Sequence, residues 1–209
     1  MMRKEHCGIR ELDRLIRSDC YRYAGSVTNE DLIRTWLVQW GFRYTRLLRK
    51  AQAHRHGPAY CWYRLRLLVA SRKTGFQIGY GARIGAGLFL GHRGTIIVNE
   101  QARLGSNVNL SPGVVIGQEN RGSRRGAPVL GNRVWVGPNA VIVGAVHIGN
   151  DVLIAPNAFV NRDVPDHSIA LGNPIQIIAR DRATEGYCHH LVAPMESDDQ
   201  YAVGEKGLR

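Results

Sequence analysis

The chain has 209 residues, 44% of them hydrophobic, and a net charge of +11, which is enough for one domain with an appendage or two small ones. No apolar run reaches the roughly 18–20 residues that cross a bilayer, and no apolar stretch follows Arg3-Lys4-Glu5-His6 as a cleavable leader requires. The four cysteines (Cys7, Cys20, Cys61, Cys188) form no CxxC pair, which argues against a zinc ribbon or disulfide framework and for a reducing, cytoplasmic setting.

The first 75 residues read as helices and carry the basic excess, 16 Lys and Arg against 6 Asp and Glu. A short helix is expected over Leu12–Tyr21. Thr28-Asn29-Glu30-Asp31 supplies capping residues for the next helix, whose apolar stripe is Leu32, Ile33, Trp36, Leu37, Trp40, Tyr44, Leu47 and Leu48. Gly57-Pro58 breaks the chain, and a further helix is expected from about Tyr60 to Arg72. Trp36, Trp40 and Trp62 read as packing residues. A surface this basic suits phosphates, acidic polymers or the headgroups of an inner membrane, to which the helices would attach peripherally. No nucleic-acid-binding motif accompanies the charge, so nucleic acid is not expected as a partner.

From Ile78 the texture changes. Aliphatic residues recur every six positions at Ile78, Ile84 and Leu90. After a two-residue slip the series runs Val98, Leu104, Leu110, Ile116, and after a longer interruption Leu130, Val136, Ile142, Ile148, Ile154, Val160. Four residues after most of them stands a small or aliphatic residue, such as Ala82, Ala102, Val108, Ala140 or Ala158, and Gly often follows the aliphatic directly. Neither helix nor strand has a period of six. A triangular coil does: each hexad forms a short strand and a turn, three hexads close one coil, and coils stack through backbone hydrogen bonds about 4.8 Å apart.

Over residues 75–180 the chain resembles the hexapeptide-repeat acyltransferases, which implies a mainly β fold, a left-handed parallel β-helix, behind the helical region 1–75 and ahead of a tail 181–209. The segment "GLFLGHRGTIIVNEQARLGSNVNLSPGVVIG" and the ending "NRDVPDHSIALGNPIQII" are similar to serine acetyltransferases and to related enzymes that decorate bacterial capsular polysaccharides.

Acyl transfer from a thioester to a hydroxyl needs a base, oxyanion donors and a slot for the pantetheine arm. His92 follows Leu90-Gly91 at a corner, where its side chain should leave the prism, and "GHRGT" is similar to the catalytic-histidine motif of the serine enzymes. His147 is expected to be solvated, and His167 to lie at the surface or at a trimer contact. The resemblance implies that Glu100, eight residues after His92, orients or polarises the site. It implies coenzyme A contacts at Gly137, Ala155, Pro156, Asn161, Arg162 and the Gly172-Asn173-Pro174 turn, with Arg180 near the phosphates. The interruption "QENRGSRRGAP" (Gln118–Pro128) must protrude; Gln118, Asn120 and Arg121 are assigned to the acceptor, and Arg121, Arg124 and Arg125 face coenzyme A phosphates, an acidic glycan or solvent. No metal is expected.

Three places depart from the serine enzymes. Gln77 stands where the resemblance expects a carboxylate fifteen residues before the histidine. Gly91 replaces a carboxylate directly before it, and Ala127 replaces a second histidine ahead of Pro128. A site without partners for a zwitterion should bind one poorly. The reading that follows is an acetyl-coenzyme-A-dependent O-acetyltransferase acting on a saccharide hydroxyl of a bacterial polysaccharide or its precursor. The alternatives are serine O-acetylation, N-acylation of an amino sugar, and a non-catalytic scaffold. The end Gly207-Leu208-Arg209 lacks the terminal Ile of serine enzymes that dock into cysteine synthase. A homotrimer is expected, with a dimer of trimers as its rival, because Trp135 and Phe159 occupy outward positions that a monomer would leave wet.

Overall fold

The structure, a computed structural model, describes residues 2–54 and 56–193, with side chains from residue 10 onward. Four helices come first: α1 (Met2–Ala24), α2 (Asn29–Val38), α3 (Trp40–Ala53) and α4 (Gly57–Thr74). Thr28 caps α2, accepting from the Asp31 amide at 3.1 Å while the Asp31 carboxylate accepts from the Thr28 amide at 2.9 Å. Gly75, with φ +85°, ends α4 in the left-handed conformation that glycine takes without cost.

The single helix expected from residue 32 to 48 is broken at Gln39, whose ψ of 109° lies outside the helical range. Arg43 donates to the freed carbonyls of Trp36 and Leu37, so the break leaves them satisfied. The break also splits the apolar stripe. Phe42, Tyr44 and Leu48 turn inward, whereas Ile33, Trp36, Leu37 and Trp40 are exposed. The three tryptophans are therefore not core residues. Arg43 stacks on Trp36 and Trp40, Arg93 on Trp40 and Arg66 on Trp62.

Fifteen short strands follow, wound into a three-sided parallel β-helix. The first sheet stacks β1 (Phe76–Ile78), β4 (Ile96–Val98), β7 (Val115–Gly117), β10 (Val141–Val143) and β13 (Phe159–Val160). The second stacks β2 (Arg83–Ile84), β5 (Arg103–Leu104), β8 (Val129–Leu130) and β11 (His147–Ile148). The third holds β3 (Phe89–Leu90), β6 (Asn109–Leu110), β9 (Val134–Val136), β12 (Val152–Ile154), β14 (Ser168–Leu171) and β15 (Gln176–Ala179), the last strand antiparallel. All thirteen hexad aliphatics are buried, as are the small residues four places on. Each large side chain contributes about 1.5–3 kcal/mol by leaving water.

The helices close the open end of this stack. The first coil has no coil above it, so its upward N–H and C=O groups need other partners. Side chains of α1 and α3 supply them. Arg49 donates to the Ile84 and Gly85 carbonyls at 2.5 and 2.6 Å. Arg22 donates to the Gly87 carbonyl at 2.7 Å, and Asp19 accepts from the Leu88 amide at 2.9 Å. Gln52 donates to the Tyr80 and Ala82 carbonyls. Tyr44, Leu48 and Leu67 pack into the same apolar cluster as the β-helix interior, so helices and coils share one core.

The segment after β15 folds back over the third sheet. Asp151 accepts from the amides of Ala183 and Thr184 and from the Thr184 hydroxyl at 2.6 Å. Asn107 pairs with both backbone groups of Val192. Tyr187 lies on Trp135 with ring centroids 4.8 Å apart. Trp135 is thus covered by its own chain, which removes it as an argument for a neighbouring subunit. Residues 194–209, including the terminal Leu208-Arg209 compared above, lie outside the described residues.

Candidate active site

Two edges of the prism carry nearly all the expected site residues. Register defines the first edge, where the third sheet turns into the first. Leu90 pairs with Leu110, Leu110 with Val136, Val136 with Ile154 and Ile154 with Ala170. The residues two places on therefore form a column: His92, Pro112, Pro138, Pro156 and Gly172. Gly91, Ser111, Gly137, Ala155 and Leu171 form a second column beside it. Four coil steps give a track of roughly 19 Å below His92, bordered by small or rigid residues. His92 itself is exposed, and among the described residues it makes no hydrogen bond or ion pair.

The second edge, where the first sheet turns into the second, carries Glu100, Gln118 and the pair Asn161-Arg162. Asn99 donates to Gln118 at 3.4 Å, and Gln118 donates to Asn120 at 2.7 Å. The protruding loop starts here, closed by the mutual backbone bonds of Glu119 and Gly126 at 2.9 and 3.0 Å, with Arg121, Arg124 and Arg125 exposed on it. Arg162 donates to the Ile175 carbonyl at 2.8 Å, beside the turn that holds Asn173 and Pro174. Gln77 and Glu100 line one groove with Arg64, Ser71 and Arg72 of α4.

One chain therefore does not bring His92 and Glu100 together. They sit at the two ends of β4, on opposite edges of the first sheet. Between the edges this sheet presents an outward ladder of Ile97, Val115, Val141 and Phe159, all half-buried and in direct register. The second sheet shows Arg83, Arg103, Val129 and His147 instead.

One expected site residue lies elsewhere. Arg180 follows β15 back to the third edge, its amide donating to the His167 carbonyl at 2.7 Å, and so it stands away from Gly172 and Pro174. His167 takes φ +52° at that same corner and is bonded through Nδ1 to Asp151 at 2.9 Å, a link that helps seat the tail. His147 is exposed, 3.9 Å from Asp163.

The departures also have structural counterparts. A Cβ on Gly91 would lie 2.9 Å from the Phe89 ring, which stacks on Tyr23 at 4.5 Å. An aromatic ring thus fills the space into which a side chain before His92 would grow. Periodicity gave no sign of Tyr23, which belongs to a helix far from the repeats in sequence. Among the described residues no three His, Cys, Asp or Glu side chains converge as a metal site, and no helix is long and apolar enough to cross a membrane.

Residues 127–162 match the family described as bacterial transferase hexapeptide (six repeats). A serine acetyltransferase of Helicobacter pylori is 39% identical over 109 residues, covering 52% of this chain and 64% of the relative. A probable serine acetyltransferase of Oryza sativa is 36% identical, over 73% of this chain and 48% of the relative. The chain thus spans less than two thirds of these relatives. Among solved structures, the Neisseria gonorrhoeae serine acetyltransferase in complex with serine superposes with a TM-score of 0.68 at 26% identity, covering 81% of this chain and 70% of that one. These relatives carry serine in their names, not a saccharide, and that overturns the polysaccharide expectation. Three departures, at Gln77, Gly91 and Ala127, do not outweigh the agreement over the rest of the repeat region. The chain thus carries bacterial transferase hexapeptide repeats over residues 127–162 and is similar to serine acetyltransferases over half of its length or more.

Proposed function

We propose that the protein is an acetyl-coenzyme-A-dependent serine O-acetyltransferase whose site is shared between subunits of a trimer. Likeness to serine acetyltransferases in sequence and structure supports the acceptor. The observation that carries the shared site is the split of the candidate residues over the two edges of one apolar face. A three-fold assembly that packs the first sheets around its axis sets the His92 edge of one subunit against the Glu100 and loop edge of the next. It also covers Ile97, Val115, Val141 and Phe159.

In this arrangement the thioester supplies the activated acetyl group. The pantetheine arm lies along the track below His92, past Gly137, Ala155, Pro156 and Gly172. Arg121, Arg124, Arg125 or Arg162 of the facing edge meet the phosphates. His92 takes the serine hydroxyl proton as the oxygen attacks the thioester carbonyl, then returns it to the departing sulfur, so the histidine ends neutral and no acyl-enzyme forms. Glu100 and Arg72 offer opposite charges to the amino and carboxylate groups of serine. With Gly91 and Ala127 in place of charged partners, the loss falls on the KM for serine more than on kcat.

The test is thiol release from acetyl-coenzyme A with serine, followed by mixing. His92→Ala and Glu100→Ala subunits, each crippled alone, should regain about a quarter of wild-type activity when assembled together, by random assortment around a three-fold ring. No recovery would overturn the shared site, and no turnover of serine would overturn the acceptor.

A further inference from the structure

We infer that the helical layer sets the position of His92, through a clamp on the backbone of its corner, and that Tyr23 is the positioning residue. This rests on His92 being the base proposed above. No side chain among the described residues holds the imidazole, so its place is dictated by the main chain that carries it. That main chain is tied on both sides to helices.

Ahead of His92, the Tyr23 hydroxyl accepts from the Leu90 amide at 3.0 Å and donates to the Leu90 carbonyl at 3.1 Å. It thereby makes both bonds that a strand above would have made. The Tyr23 ring is packed against Phe89 at 4.5 Å and Phe42 at 6.2 Å. Gly41 of α3 lies so close that a Cβ there would sit 2.0 Å from the Leu90 carbonyl oxygen and 2.4 Å from the Tyr23 hydroxyl. Its φ is not positive, so the glycine serves close approach and not an unusual conformation. Behind His92, the Arg93 guanidinium stacks on Trp40 at 4.9 Å and donates to the Lys73 carbonyl at 3.1 Å. The Gly94 amide donates to the Thr74 carbonyl at 3.0 Å. Other cap bonds of the first coil hold other corners: Gln52 holds the one stacked on Glu100, and Ser18 accepts from the Gly87 amide at 3.1 Å on the third edge, away from both candidate edges.

A base displaced by a fraction of an ångström loses rate before it loses binding, because alignment is needed in the transition state and not for docking the thioester. Tyr23→Phe keeps the ring and removes both hydrogen bonds. It should lower kcat fivefold or more, keep the KM for acetyl-coenzyme A within twofold, and speed hydrogen exchange of the Leu90 amide at least tenfold. Ser18→Ala removes a cap bond from the third edge and should leave kcat within twofold. A loss under fivefold in Tyr23→Phe, or an equal loss in Ser18→Ala, overturns the clamp. Should the wild-type protein not acetylate serine, the His92 imidazole NMR signals decide instead: a shift in Tyr23→Phe but not in Ser18→Ala supports the clamp, and unmoved signals in Tyr23→Phe, or an equal shift in Ser18→Ala, overturn it.

Discussion

At the scale of single residues, the proposed chemistry rests on His92, whose imidazole no side chain among the described residues engages. His92→Ala is expected to lower turnover by about 10²–10⁴-fold, the usual value of a general base, while binding of acetyl-coenzyme A measured by calorimetry stays intact. A variant that keeps a third of the wild-type rate would remove His92 from the mechanism. Gln77 lies far from His92 of its own chain, on β1 above Ile97 and in the groove beside Glu100, the edge that the proposed trimer sets against the neighbour's His92. Because the proposed reaction runs with an uncharged side chain here, Gln77→Asp should change kcat by less than an order of magnitude. A large gain in serine turnover would mean that a carboxylate at this position orients the neighbour's histidine.

Single coils and the tail obey stricter packing rules. Gly105 lies against the next coil so closely that a Cβ would be 2.6 Å from the Gly131 carbonyl oxygen. Because that atom belongs to a backbone held by ladder bonds, Gly105→Ala should cost about 1–3 kcal/mol, read as a lower urea midpoint. Asp151 gives the tail a pH dependence. Burial raises its pKa, but bonds from the Thr184 hydroxyl and amide, His167 and the Ala183 amide outweigh that and hold it below the usual carboxylate range. A carboxyl with a depressed folded pKa stabilises the structure fully above the unfolded value near 3.9 and loses that contribution as pH falls through the folded value. Acidification below about pH 4, or Asp151→Asn at neutral pH, should release the tail from the third sheet. Trp135 fluorescence should report it, since Tyr187 covers the indole.

For the whole molecule, the expectation is a trimer at three times the chain mass of 23.3 kDa. The ladder Ile97, Val115, Val141 and Phe159 supports it, flanked by the two edges that hold the candidate residues, whereas Trp135 is covered by Tyr187. Sedimentation at 23.3 kDa would contradict both the trimer and the shared site. A hexamer would contradict neither, and would instead account for the exposed Ile33, Trp36 and Leu37 of α2.

The β-helix was legible from residues alone, because a period of six leaves no other regular structure and because an interior that narrow admits only small partners for each aliphatic. The corner position of His92 was legible for the same reason, since it follows from the hexads by counting, whereas its proposed role rests on the likeness of "GHRGT" to the serine enzymes. The helical layer was less so. Periodicity saw the apolar residues from Leu32 to Leu48 but could not see the break at Gln39, which turns half of the stripe outward. The division of the candidate residues over two edges, the tail laid over Trp135, and the Tyr23 hydroxyl above the His92 corner all depend on residues tens of positions apart meeting in space. Hexad spacing sets which way each side chain points from its own coil; only the stacking of coils and helices decides what it meets there.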